Sequence, residues 1–174
     1  FQLKAISAIT DIFEGQPNDV EAFSSVIRGE AVRGAQSNLF NEIGAIGNNL
    51  LLDEDAILEN ARTIQEDNGE EPVAKLDGMN FSIEMETGTG KTYVYLRSGF
   101  ELNQRYGLTK FIIVVPSVAI KEGVNKSLEI TEEHFRQQYK NVQYDYFVYD
   151  SSKRDQVRNF ATNDYIQIMV INID

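Results

Sequence analysis

The stretch METGTGKTYVYL, residues 85–96, constrains this chain more than any other. It contains Gly-x-Gly-Lys-Thr, the close of a phosphate-binding loop whose fuller pattern is Gly-x-x-x-x-Gly-Lys-[Ser/Thr]. Gly88 and Gly90 lack Cβ atoms, so the backbone can curl and aim its N–H groups at phosphate oxygens. Such a loop needs a strand before it and a helix after it. NFSIEM, residues 80–85, reads as the strand, and the helix runs to about Tyr106 with Gly107 as its stop. The helix then points its positive end at the same anion. Lys91 would meet the β- and γ-phosphates as a point charge, and Thr92 would offer a hydroxyl to Mg²⁺. A Gly-rich turn with a surface lysine is the plain alternative, and the flanking strand and helix argue against it. The first position of the loop is Met85 where the common pattern has glycine.

Downstream the pattern is regular. KFIIVVP is a strand with a continuous apolar run, which predicts burial on both faces. SVAIKEGVNKSL and TEEHFRQQYKN read as helical, and VQYDYFVYD as a strand rich in aromatics. SSKRDQVRNFA reads as a short helix, with Ser152 and Asp155 spaced as a capping box, and YIQIMVINI as a last strand. Strands alternating with helices imply right-handed crossovers and a parallel sheet with helices on both faces, an α/β class.

Upstream, FQLKAISAITDIFE sets Leu3, Ile6, Ile9, Ile12 and Phe13 at helical spacing, with Gly15 to end the helix. Residues 16–49 carry Gly29, Gly34, Gly44 and Gly47 and read as loops and short helices. LLLDEDAILENARTIQEDNG reads as a helix with Asp53 as N-cap, a stripe of Ile57, Leu58, Ala61 and Ile64, and Gly69 beyond its end.

Charge separates these regions. The whole chain carries −11, which argues against a nucleic-acid binder that uses its entire surface. Residues 14–77 hold 14 acids and four bases, whereas residues 78–174 hold 12 acids and 11 bases. The second region can therefore carry a local basic stripe. The absence of cysteine excludes disulfides and thiolate chemistry, and no apolar run nears the ~20 residues that span a bilayer.

METGTGKT, followed by Tyr93, resembles motif I of superfamily 2 helicases and translocases, most closely that of the Res subunits of type III restriction enzymes. FQLKAI at residues 1–6 resembles the entry helix of that family, and FIIVVPSVAIKEGV at 111–124 resembles its motif Ia. YIQIMVINID resembles the later strand before the family's Asp-Glu box, and residues 16–77 match an insertion in place and rough size. The resemblance implies a RecA-like P-loop NTPase lobe spanning residues 1–174, the first half of an ATP-driven DNA motor, with an acidic, mainly helical insertion. It implies ATP and Mg²⁺ as cofactors. Nucleotide contacts would come from Gln2 on adenine and from Thr87, Gly88, Thr89, Gly90, Lys91 and Thr92 on phosphate. Lys91 and Thr92 would be catalytic, and Thr92 the Mg²⁺ ligand. Pro116, Ser117 and Lys121 would lie on the DNA backbone. Double-stranded DNA and a DNA-methyltransferase (modification) subunit are the implied partners, in the cytoplasm and away from membranes. A superfamily 2 motor without nuclease, or a non-catalytic module that binds a partner subunit, remain alternatives.

Other residues have plainer readings. Ser117 is as well explained as a helix N-cap, and Gln2 as a solvated helix residue. His134 sits among charged residues on a solvated face. Tyr144, Tyr146 and Tyr149 alternate on a strand and suit packing. Lys153, Arg154 and Arg158 suit a solvated face, with a phosphate contact as second choice. Hydrolysis also needs acids on Mg²⁺ and water. Asp174 ends an apolar strand and is a candidate, although the resemblance places the Asp-Glu box farther on. The 174 residues alone are therefore expected to bind ATP without turning it over. NKSL at 125–128 has Leu where a guanine-reading motif needs Asp, which excludes a GTPase.

Overall fold

The computed structural model describes residues 1–18 and 47–173. Asp174 and most of the stretch read as loops and short helices lie outside the described residues. Two compact units emerge. One is formed by Phe1–Asn18 and Leu50–Tyr106, and the described residues of the other are 47–49 and 107–173.

The first unit is helical. Helix α1 spans Gln2–Asp11, α2 spans Glu54–Asp67 and α3 spans Lys91–Tyr106. Helix α1 packs against both α2 and α3. Part of the apolar spacing expected from the sequence forms the contact: Ile12, Ile57 and Ala61 are buried together, with Phe13, Leu52, Ile64 and Leu76 against them, whereas Leu3 is exposed. Asp53 caps α2 as expected, its carboxylate accepting from the Ala56 N–H at 2.9 Å. Gly69 and Gly107 follow α2 and α3 at φ +78° and +69°, the left-handed conformation that ends a helix. The last carbonyls of a helix lack partners of their own. Here Asn60 of α2 donates to the carbonyls of Ile12 and Glu14, just past α1. Arg62 and Gln65 of α2 then strap down residues 73–74 through three hydrogen bonds of 2.9 Å. Helix α2 of the acidic segment is thus built into this unit's core.

Residues 80–85 depart from expectation, since they pair with no strand. A strand exists only through its ladder partner, and the described residues supply none. The segment's apolar side chains, Phe81 and Ile83, instead line a cavity of about 500 Å³ together with Ile9 and Ile64.

The second unit is a small parallel α/β layer. Strand β1 spans Lys110–Val115, helix α4 Val118–Gln138, β2 Tyr144–Val148, helix α5 Arg154–Thr162 and β3 Ile166–Asn172. The strands run parallel in the order β1-β3-β2, with Ile112 opposite Met169 and Phe147 opposite Met169 on the other side. Side chains alternate between faces. On one face Tyr144 meets α4, where the Arg136 guanidinium lies 5.1 Å from its ring centre. On the other face Phe147 meets Phe160 of α5 edge-on at 6.2 Å. A helix therefore covers each face, as the alternation predicted.

Three details differ. The two helical stretches after β1 merge into α4, a single helix of 21 residues. Strand β1 is not buried on both faces, because Ile112 and Val114 are 54% and 53% exposed. Among the described residues it is an edge strand, and coverage depends on what lies above it. The expected capping box of α5 is absent, since Lys153 is the N-cap and makes no side-chain cap bond. Ser152 instead gives its N–H and hydroxyl to Asp150 at 2.9 and 2.6 Å, a carboxylate acceptor two residues away.

Candidate functional site

The phosphate-type loop runs directly into α3, whose first residue is Lys91. Gly88 and Gly90 adopt φ +81° and +86°, which other residues rarely hold. A Cβ on residue 90 would also displace the side-chain amide of Gln2, the far end of a flexible side chain. That amide donates to the carbonyl of Thr89 at 2.9 Å, so α1 is latched onto the loop. Inside the loop, the carbonyl of Glu86 accepts both the Thr89 hydroxyl at 2.7 Å and the Lys91 ammonium at 2.9 Å. Thr87, Gly88 and Lys91 are exposed, and Thr89, Gly90 and Thr92 half-buried. The Val94 N–H donates to the Gly90 carbonyl at 3.0 Å, so the helical ladder begins at the last glycine.

The first N–H groups of α3 have no partners within the helix, and a helix N-terminus of this kind favours an anion. Lys91 uses one of three protons on Glu86 and keeps two. One helical turn beyond Thr92 stands Tyr95, whose phenol is hydrogen-bonded to the Thr92 hydroxyl. Burial raises the Tyr95 phenol above its ordinary range, against the lowering effect of that bond. The i, i+3 spacing on a helix was the signal for this pair, and sequence reading passed over it. A cleft of about 670 Å³ adjoins the loop, lined by Phe1, Gln2, Leu3, Glu86 and Thr89. Phe1 and Leu3 remain 76% and 62% exposed, which leaves apolar surface beside a hydrogen-bonding amide. Met85 at the loop's first position is half-buried.

In the second unit, Pro116 follows β1 at the carboxyl edge of the sheet, where open α/β sheets receive ligands. Ser117 is the N-cap of α4: its hydroxyl oxygen accepts from the Ile120 N–H at 3.3 Å and its carbonyl from the Lys121 N–H at 3.0 Å. Its own O–H is still able to donate. Lys121 lies one turn on and donates to the Asn172 side chain at the end of β3 at 2.8 Å. The contact spans 51 residues of sequence and had no local signal. His134 is exposed, with its ring 5.4 Å from that of Phe135. Tyr144 is buried as expected, whereas Tyr149 is 37% exposed. No group of three His, Cys, Asp or Glu side chains suited to a metal occurs among the described residues.

Residues 51–174 match the family described as "Type III restriction enzyme, res subunit". Among curated relatives, the chain is 52% identical over 68 residues to the StyLTI Res subunit of Salmonella typhimurium, covering 38% of this chain and 7% of that protein. It is 42% identical over 95 residues to the EcoPI Res subunit of Escherichia phage P1, covering 52% and 10%. To the EcoP15I Res subunit of Escherichia coli it is 47% identical over 68 residues, covering 38% and 7%. The chain thus spans 7–10% of the length of these relatives.

Proposed function

The chain belongs to the type III restriction enzyme Res subunit family, and from that premise we propose that it is the ATP-binding first lobe of an ATP-dependent DNA translocase. One observation carries the nucleotide half of this reading. Two glycines at positive φ lead directly into Lys91 at a helix N-terminus, with Gln2 latched to the same loop. In this reading residues 1–174 form one RecA-like lobe with an acidic insertion at about 16–77. Thr87, Gly88, Thr89 and Gly90 present backbone N–H groups to the β- and γ-phosphates, and Lys91 adds the cation. Gln2 reads adenine in the adjoining cleft.

Mg²⁺ fits this arrangement as an ion that arrives with the phosphates. It keeps several waters and takes few protein ligands, and the half-buried Thr92 hydroxyl at the first turn of α3 offers one. Bound there, the ion would neutralise charge developing on the transferred phosphoryl group. The chain's own residues bind and orient the phosphates.

Pro116, Ser117 and Lys121 contact the DNA backbone at the sheet's carboxyl edge. The full-length subunit acts on double-stranded DNA in the cytoplasm, beside a modification methyltransferase. No helix among the described residues is long and apolar enough to cross a membrane.

Lys91→Ala in the full-length subunit tests the reading. DNA-dependent phosphate release should fall ~10²-fold or more, as when a preorganised group facing developing charge is removed. The fold should stand, because Lys91 is exposed and, among the described residues, bonds only to its own loop. Unchanged turnover would overturn the assignment.

A further inference from the structure

At the carboxyl ends of β2 and β3, a cleft of about 480 Å³ opens beside the first turns of α4. Its floor includes Val148 and Ile171, and Tyr149 lines it as an exposed aromatic. Two ammonium groups, of Lys121 and Lys153, also line it. Like charges sharing one mouth repel unless an anion lies between them. Among the described residues, Asp150 is the one carboxylate lining the cleft, and its position is fixed by the turn it closes. Lys153 approaches it only to 3.9 Å, with both side chains well exposed. Exposed pairs of this kind contribute little, so Lys153 is readily recruited by a stronger anion. Lys121 bonds to the neutral Asn172 amide and shares the pull of Asp150 with Lys153, so two cations face one carboxylate. Counted over its described residues, the cleft is therefore net positive, on a chain that is otherwise acidic.

We propose that this cleft binds one sugar–phosphate unit of a nucleic-acid backbone, with the phosphate between Lys121 and Lys153 and the sugar against Tyr149. The proposal rests on the reading that Ser117 and Lys121 contact DNA, and it adds Lys153 and Tyr149 to that track. The chemistry favours backbone over base. Two amines on flexible stems make point contacts suited to phosphate and carry no donor–acceptor code. The apolar floor suits a sugar ring. Binding here is independent of sequence and sensitive to salt.

Anisotropy of fluorescent duplex DNA with the full-length subunit, over a range of salt, tests this. Lys153→Ala should weaken binding several-fold on every sequence and reduce the salt slope by about one. Tyr149→Ala should weaken binding and leave the slope unchanged. Asp150→Asn should tighten binding, because it keeps the oxygen that accepts from Ser152 and removes the repelling charge. That gain cannot arise from damage to the fold. If Lys121→Ala weakens binding while Lys153→Ala and Asp150→Asn do nothing, the proposal fails and the underlying DNA reading stands. If Lys121→Ala also does nothing, both fail. Reduced ATP affinity of Lys153→Ala without DNA would assign the phosphate to nucleotide and overturn the proposal.

Discussion

The side-chain amide of Gln2 donates to the backbone carbonyl of Thr89 at 2.9 Å and occupies the space a Cβ on residue 90 would need. Helix α1 and the phosphate-type loop are thus fitted to each other across 87 residues of sequence.

Gly90→Ala should abolish nucleotide binding and lower stability. A non-glycine residue at positive φ costs of order 1–3 kcal/mol, and a Cβ pushes the flexible Gln2 amide off Thr89, which adds a smaller amount. Gly90→Ala combined with Gln2→Ala should recover part of the stability, since it removes the displaced side chain and leaves the backbone strain. Urea denaturation of the two variants checks this. Equal losses would mean that the latch exerts no steric constraint.

ATP should be preferred to GTP. With its nitrogen held by Thr89, the Gln2 amide keeps its oxygen as an acceptor for the base proposed to enter the adjoining cleft. The exocyclic amine of adenine can donate to that oxygen, whereas guanine presents a carbonyl at the same place. Gln2→Ala should narrow the ratio of ATP to GTP affinities about tenfold, equivalent to about 1.4 kcal/mol. Titration calorimetry with both nucleotides reads it, and an unchanged ratio would remove Gln2 from base selection.

Ser117 can be split into its two roles. Ser117→Ala loses the cap on α4 and should cost about 1 kcal/mol of stability. Ser117→Asp keeps a good N-cap and sets a negative charge where the DNA phosphate is proposed to lie. It should retain thermal stability and weaken DNA binding more than the alanine variant does. If both variants bind DNA like wild type, the serine is a cap alone.

Stability should rise with pH through one lysine. Burial pushes the Lys110 ammonium down to about 8 from an ordinary 10.5, with Asp164 pulling the other way. Below about 8 the lysine is charged in folded and unfolded chains alike, and the folded state carries the full burial penalty. Between about 8 and 10.5 the unfolded chain binds more protons than the folded one, so stability increases across that window. The neutral amine still donates to the Asn163 carbonyl. Lys110→Met should flatten this rise in unfolding midpoints measured from pH 7.5 to 10.5, and an identical profile for both proteins would refute it.

The features legible in the sequence are those a residue settles with its nearest neighbours. Asp53 and Ser117 cap their helices because each bonds to an N–H three residues on. Gly69 and Gly107 end α2 and α3 because only their own φ is at issue. The loop at Gly88–Thr92 belongs to this class, as its curl needs two glycines and the start of a helix. The order of strands and helices in the second unit followed from periodicity for the same reason.

Tertiary structure decided whatever needed a distant partner. Residues 80–85 have the pattern of a strand, yet a ladder requires a second chain segment that their own sequence cannot supply. The apolar run of β1 allows burial on both faces, and coverage left Ile112 and Val114 in the open. Ser152 had the spacing of a capping residue and was claimed by Asp150. Gln2 on Thr89 and Lys121 on Asn172 join residues 87 and 51 positions apart. Such pairs leave no periodic trace, because their geometry comes from how helices and strands pack.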